Sequence, residues 1–577
     1  MHLNKKTGRL LLQILAVFFT VLLLFAFSLA WYWKPTIAQA IRKNIESATN
    51  NLYSVEFKDL HINFLTGNFS IDSLRLKPNV LVYKKLDQKN QAPLYLFSII
   101  IKKLEIKNTH PVQYYFNKKL YINKLHVEKP IITVYYNELR AKKNKPTANK
   151  YQNPYELIKN TMVSLNIKDI DFKNTSLCIQ IDSASNKNRQ FVFLSNFYVK
   201  NLKVDAAAQT NHHPFYADDI GLSIRDFSFT NKDSSYHFKI EECTASTASN
   251  GFSVYNLAIT PNVSEQNFSD KYGYQKTRYE FIFKSLIFKK FHFEEFIYHQ
   301  FFHCELLEIN KMKSNINLNK TYKINPFRER KFPQQIPFDI ALPLTINKIK
   351  VLNSEINYSE ILPQNNLRWH ISFNKLKGTI DHFTNEKKEI NLNKLLKIDF
   401  DFLLNNEAKT NLSLGLFYGD YKRPFYCNGE MGAYNLAKLN AILKPLTKIE
   451  IANCKLKQLQ IKLKGDKMGV NAHISMKYKN LRVRVLAIDS HDKQLKHQKM
   501  YSFLANVMLL SNDNPTVYGK FVQPQFYLAR KPQQGFFNLI WKSVLKGCKE
   551  SIGYSEKIEL EMKRKTKNYK GLPHGEQ

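Results

Sequence analysis

The sequence predicts a mainly β protein, with an N-terminal transmembrane helix, an elongated, curved antiparallel sheet carrying a few short helices, and a C-terminal amphipathic helix. Three observations predict it: one long apolar run near the amino terminus, two-residue alternation of apolar and polar side chains from Val55 onward, and a degenerate repeat that returns four times. With 577 residues, of which 41 are Phe and 31 Tyr, the chain can build large cores, and its composition excludes a disordered polymer.

Lys5, Lys6 and Arg9 precede an apolar run from Leu10 to Trp33, broken only by Gln13, Thr20 and Ser28. A run of that length can cover the ~30 Å hydrocarbon core of a bilayer, and Trp31, Tyr32 and Trp33 would supply an interfacial belt. The competing reading is a cleavable signal peptide ending near Ser28-Leu29-Ala30, but the apolar stretch is longer than such peptides use. The expected order is therefore a basic cytoplasmic tail at 1–9, a transmembrane helix at 10–33, and a linking helix at 34–51 with Ile37, Ala40, Ile41 and Ile45 at helical spacing. Two β-rich regions follow at 52–337 and 338–533, then an amphipathic helix and basic tail at 534–577. The positive-inside rule exports the body, so nucleic acid is not expected as a partner and membranes, envelope polymers or envelope proteins are, while the net charge of +38 reflects Lys used along the whole chain and decides nothing by itself.

The repeat sets Ile122-x-x-Leu125-x-Val127 and Ile132-x-Val134 on the same spacing as Ile167-x-x-Ile170-x-Phe172 and Leu177-x-Ile179. It returns as Ile346, Ile349, Val351, Ile356 and Tyr358, and again as Leu446, Ile449, Ile451 and Leu456, with the polar Gln458 in the last place. Asn before a small residue in three copies reads as a two-residue hairpin turn, because Asn tolerates positive φ. A turn at Asn174-Thr175 would put Phe172 opposite Leu177 and Ile170 opposite Ile179, leaving one apolar face. Leu125, Val127, Ile132, Val134, Ile170, Phe172, Leu177, Ile179, Ile349, Val351, Ile356, Tyr358, Ile449, Ile451 and Leu456 are the candidate members of that face. Few amphipathic helices are on offer to cover it. Either a second sheet closes it into sandwiches, or a curved sheet keeps it open as a groove for lipid chains.

The segment Phe425-Tyr-Cys-Asn-Gly429-Glu-Met-Gly-Ala-Tyr-Asn-Leu436-Ala-Lys-Leu439-Asn440-Ala-Ile-Leu443-Lys-Pro445, continuing to Tyr478-Lys-Asn-Leu481, resembles the carboxy-terminal module of AsmA-like proteins. In that family a strand ending at Gly leads into a short Leu-x-x-Leu-Asn-x-x-Leu-x-Pro helix, then a hairpin. Here Asn453-Cys454 stands where the family usually has Asn-Gly. Ile62-Asn-Phe-Leu-Thr66-Gly67-Asn-Phe69-Ser-Ile71 resembles the family's first hairpin after its transmembrane helix. The resemblance implies a Gram-negative inner-membrane protein with a periplasmic β-groove that carries phospholipid or another acyl-chain lipid, acting in transport between membranes or in outer-membrane biogenesis. It also implies the inner membrane as a partner, with the outer membrane or an envelope protein at the distal end. It brings no catalytic residue. The alternative is a non-catalytic envelope scaffold made of closed β-sandwich domains.

The search for chemistry turns up little. The six cysteines stand far apart with no metal or redox spacing. His292, His299 and His303, with Glu294, Glu295 and Cys304, are the densest set of possible ligands, but Phe291, Phe293, Phe296, Phe301 and Phe302 around them read as packed residues. No metal site, no cofactor and no enzymatic activity are expected. Gly535 to Ile552 reads as an amphipathic helix that caps the sheet or lies on an anionic membrane surface, with Phe537, Trp541, Val544, Cys548 and Ile552 along one side.

Overall fold

The computed structural model describes Gln39 to Tyr554, apart from 40, 41, 44, 48, 64–66, 90, 94, 138–153, 161, 183–188, 208–213, 232, 326–329, 364–365, 489–494 and 499–509. Most of it is strand, and the helices are short. The expected single-pass membrane protein needs correction. Among the described residues no helix is long and apolar enough to cross a membrane, which removes the structural footing of the transmembrane fold element and of the inner-membrane location. The run at 10–33 on which that expectation was placed, and the tail at 1–9, lie outside the described residues. Contacts divide the chain into two units: Phe238–Asn256 and Ile297–His299 join the residues up to Phe229 in the first, while Thr230–His237, Leu257–Phe296 and Gln300 onward form the second.

In the first unit β1 (Tyr53–Glu56) and β2 (Asp59–Asn63) both pair with β3 (Asn68–Pro78), which pairs with β4 (Tyr95–Thr109). Half of β4 faces β5 (Lys119–Glu128) and the other half faces β6 (Ile131–Asn137), all antiparallel. β5 and β6 run in one direction, parted only by Lys129-Pro130, and both lie parallel to β7 (Ser164–Asp182). β7 pairs antiparallel with β8 (Arg189–Asp205), and β8 with β9 (Asp219–Thr230). β10 (Tyr236–Ser246) and β11 (Gly251–Pro261) follow in the chain.

The second unit repeats this plan. β12 (Arg278–Phe291) leads through the short helix Phe293–His299 to β13 (Phe302–Asn310) and β14 (Lys313–Asn319), which both pair with it antiparallel. β13 and β14 lie parallel to β15 (Leu344–Ile361), and β15 pairs antiparallel with β16 (Arg368–Thr384). The registers correspond: Thr109 opposite Ile122 and Leu104 opposite Val127 in one unit match Phe291 opposite Cys304 and Leu286 opposite Ile309 in the other. An antiparallel ladder continues through β17 (Leu395–Leu404), β18 (Ala408–Phe417) and β19 (Phe425–Met431) to β21 (Ile449–Gly465). β20 (Tyr434–Asn435) pairs with the start of β21, and β22 (Gly469–Ile488) takes β21, β23 (Leu495–His497) and β24 (Gln525–Ala529) as partners.

Two expectations change here. The sheet is mixed rather than antiparallel, and the repeats are not hairpins. The copies on β7 and β15 are each one continuous long strand, and the fourth is one from Ile449 onward, its Leu446 lying in the helix Asn440–Thr447. Asn174 and Asn353 do have positive φ, 51° and 47°, but each sits in a β-bulge instead of a turn. On β7, Phe172 faces Phe197 and Thr175 faces Ser195, so β7 carries one residue more than β8. That extra residue shifts the two-residue phase, which is why Ile170 and Phe172 before the bulge and Leu177 and Ile179 after it stay on one face. The equal spacing of the first two copies is the parallel register itself: Leu125 sits beside Ile170, Val127 beside Phe172, Ile132 beside Leu177 and Val134 beside Ile179. By the same rule β13 and β14 are a fifth copy, with Cys304, Leu307, Ile309, Ser314 and Ile316 beside Ile346, Ile349, Val351, Ile356 and Tyr358.

Candidate lipid-binding surface

Directly opposed residues share a sheet face, so pairing converts the alternation into rows that cross the strands. In the first unit two such rows run Phe97–Val134–Ile179–Phe191 and Ile99–Ile132–Leu177–Phe193 across β4, β6, β7 and β8. Phe191 lies 6.4 Å from Phe227 and 6.2 Å from Phe229, and the Phe229 ring stacks on Phe238 at 4.6 Å. This half of the face is only partly covered: Ile99, Ile132, Val134, Leu177, Ile179, Phe191, Phe227, Phe229 and Phe238 are all half-buried. The other half differs. Leu104–Val127 and Ile106–Leu125 belong to a core with Ile170, Val199, Ile158 and Met162, where Leu125 and Val127 are fully buried.

In the second unit a single apolar row crosses ten strands: Phe288, Leu307, Ile349, Ile380, Ile398, Leu414, Cys427, Leu463, Ala472 and Phe526. At ~4.8 Å per strand it extends on the order of 40 Å. The neighbouring row, Leu286–Ile309–Val351–Gly378–Phe400–Leu412–Gly429–Ile461–Ile474, runs beside it. Gly378 is there because a β-carbon would stand 2.5 Å from Cδ1 of Phe400 and 2.0 Å from the carbonyl oxygen of Asp399. Toward β19–β22 the face is closed: Leu414, Cys427, Leu463 and Ala472 are buried in a cluster with Phe332, Phe536 and Leu539. The helix Phe536–Ser551 supplies that cover, packing across β22 rather than over an open sheet end. On β16 and β17 the face is less covered, with Ile380, Ile398, Phe400 and Phe402 half-buried.

The candidate residues thus fall into two groups. Leu125, Val127, Ile170, Ile349, Val351 and Leu456 are core residues, whereas Ile132, Val134, Phe172, Leu177, Ile179, Ile356, Tyr358, Ile449 and Ile451 are half-buried. Tyr358 is apolar only in its ring, which lies 5.6 Å from Trp369. Its hydroxyl is bonded to the buried Glu360, which Lys320 holds at 2.6 Å, and burial together with that carboxylate pushes the phenol far up. Phe191, Phe227, Phe229, Phe238, Ile380, Ile398 and Phe400 were not singled out from sequence. Their signal is the aromatic alternation Phe191-x-Phe193, Phe227-x-Phe229 and Phe400-x-Phe402, but which strands pair is not written in it.

The polar features are fewer. Burial pushes the Cys427, Cys454 and Cys548 thiols up to about 12, so these three are neutral groups rather than nucleophiles. Near Lys311, the bulges at Asn353 and Lys375, and the turn at Asn406, the sheet carries a depression of about 290 Å³. The structure also groups His292, His303 and Glu305, with His303 hydrogen-bonded to Glu295. Cys304 is not part of this group, since its Sγ donates to the carbonyls of Lys289 and Leu306 inside the core. No protein-family model matches the chain, and no curated protein matches it.

Proposed function

We propose that this protein binds the acyl chains of phospholipid along the uncovered parts of its apolar sheet faces, and acts as a non-catalytic lipid carrier of the kind its resemblance to AsmA-like proteins implies. The observation that carries the reading is the ten-strand apolar row of the second unit, closed by a helix at one end and half-exposed at Ile380 and Ile398. A closed sandwich would bury such a row along its whole length, because each large apolar side chain gains roughly 1.5–3 kcal/mol on full burial. The half-buried Phe191, Phe227, Phe229 and Phe238 repeat the pattern in the first unit. A continuous apolar strip of this sort suits flexible hydrocarbon, which needs area and not directed hydrogen bonds.

The test is photocrosslinking of the purified full-length chain to a diacyl phospholipid carrying a photoactivatable acyl chain, with adducts mapped by peptide mass spectrometry. Adducts on the peptides holding Ile179, Phe191, Ile398 and Phe400 are expected. Ile179→Asp and Ile398→Asp should keep the β circular dichroism signal and lose their local adducts. Unfolding of both variants would instead mean that these positions belong to closed cores, and the non-catalytic scaffold would replace the carrier.

A further inference from the structure

We propose that His292, His303 and Glu305 form a binding site for a divalent transition-metal ion of the Zn²⁺ class. His292 ends the strand β12 side of the turn, directly before the helix Phe293–His299, and His303 and Glu305 point the same way from β13, two residues apart. The carboxylate oxygen Oε1 of Glu305 is 3.8 Å from Nε2 of His292 and 3.8 Å from Nε2 of His303. Ligand atoms around a tetrahedral ion with bonds of about 2.0–2.1 Å stand roughly 3.3 Å apart, so the side chains must rotate inward to close the set.

What distinguishes the group from a chance cluster is how its other atoms are engaged. The Nδ1 of His303 is held at 2.8 Å by Glu295 Oε2, and its Nε2 faces Glu305 Oε1. The second oxygen of Glu295 lies 3.9 Å from Nδ1 of His292. Asn347 donates to Oε2 of Glu305 at 2.8 Å, leaving Oε1 free to face both histidines. His303 and Glu305 thus each present a ligand atom at one end while a hydrogen bond fixes the other, the arrangement by which outer carboxylates orient metal-binding histidines. The two imidazole rings lie 4.0 Å apart and nearly parallel, so binding one ion requires the rings to turn until both Nε2 atoms aim at a common point. The Phe301 ring stacks against His303 with centroids 5.5 Å apart. With three protein ligands and His292 and Glu305 each 40% exposed, a fourth position remains for water.

The full-length chain, purified through a tag without histidine, is titrated with Zn²⁺ against a chromophoric chelator. The wild type should bind one ion more than the His292→Ala/His303→Ala variant, and Glu305→Gln should weaken that ion at least about 10-fold. Glu295→Gln, which touches no ligand position and acts through His303, should weaken it about 10- to 100-fold while leaving the stoichiometry intact. Equal Zn²⁺ binding by wild type and the double-histidine variant would overturn the site. Should the variants fail to fold, carbethoxylation of the wild type decides the matter. Zn²⁺ should protect His292 and His303 but not the exposed His61, and equal modification of all three with and without the ion would overturn the proposal.

Discussion

Gly547 and Ile474 are in direct contact across the helix Phe536–Ser551 and strand β22, so close that a β-carbon on Gly547 would stand 2.2 Å from Cγ1 of Ile474. Glycine inside a helix costs roughly 1 kcal/mol relative to alanine. Here the cost is offset by the approach of the helix to the apolar row, which buries Phe536 and Leu539 beside Leu463 and Ala472. Gly547→Ala is therefore expected to destabilise the protein although it improves helix propensity. Overpacking of a filled core costs typically 1–3 kcal/mol and the contact is with the stiff, branched part of Ile474, so a net loss of about 1–2 kcal/mol should follow. Chemical denaturation of the two proteins checks the sign, and a more stable alanine variant would show that the helix is free to lift off the sheet.

Asn174 makes the second case. Its positive φ of 51° and the hydrogen bond its backbone N–H donates to the Asn196 side chain at 2.8 Å hold the bulge that keeps Leu177 and Ile179 on the apolar face. Asn174→Gly should be tolerated, because glycine adopts this conformation freely. Asn174→Val should cost about 1–2 kcal/mol, the usual penalty for a side chain forced into the left-handed region. Deleting Asn174 restores strict alternation and so turns the second half of β7 over, which should abolish cooperative unfolding of the first unit. The three variants are compared by denaturation followed with circular dichroism, and a deletion as stable as the wild type would mean that the register of β7 is not set by the bulge.

The same residue shows where the sequence stops being readable. Ile170, Phe172, Leu177 and Ile179 share one face through a bulge at Asn174 where the spacing suggests a hairpin turn, and the equal repeat spacing is the parallel register of β5 and β6 against β7. Hairpin and bulge were not separable, because both need positive φ at Asn174 and both preserve the apolar face through a change of phase. The choice is made by β8, a strand that supplies Ser195 opposite Thr175 and Asn196 as the acceptor for Asn174, and nothing local to the repeat announces it. Which half of the face is covered was hidden for the same reason: the core that buries Leu125 and Val127 draws on Ile45, Ile158 and Met162, which are not strand residues. The ten-strand row through Ile349 depends on some pairings between strands not adjacent in the chain, such as Leu307 beside Ile349 and Ala472 beside Phe526. Glu305 escaped notice because spacing along a helix favoured His299 with His303, whereas the strand β13 sets His303 and Glu305 on one face.

On the polar face of the first unit, Glu105 lies between two lysines of its own strand, accepting from Lys103 at 2.6 Å and Lys107 at 2.9 Å. Hydrogen bonds from these ammonium groups, Lys103 first, hold its carboxyl at about 2, below the ordinary 4.5. A depressed carboxyl stabilises the fold wherever the unfolded chain would have ionised it, so the contribution is fully present above pH 4.5 and is lost as the pH falls from there toward 2. Both lysine side chains are about half exposed, so solvent screening keeps the effect small. Glu105→Gln should lower the urea midpoint at pH 6, and the gap between variant and wild type should narrow through the window from 4.5 to 2 and close at its acid end. Added salt should shrink the gap at pH 6 in the same way, since the lysines are on the surface. A gap that is constant across the titration would assign the effect to packing of the longer-range ladder, in which Glu105 pairs with Ser70 and His126, and not to its charge.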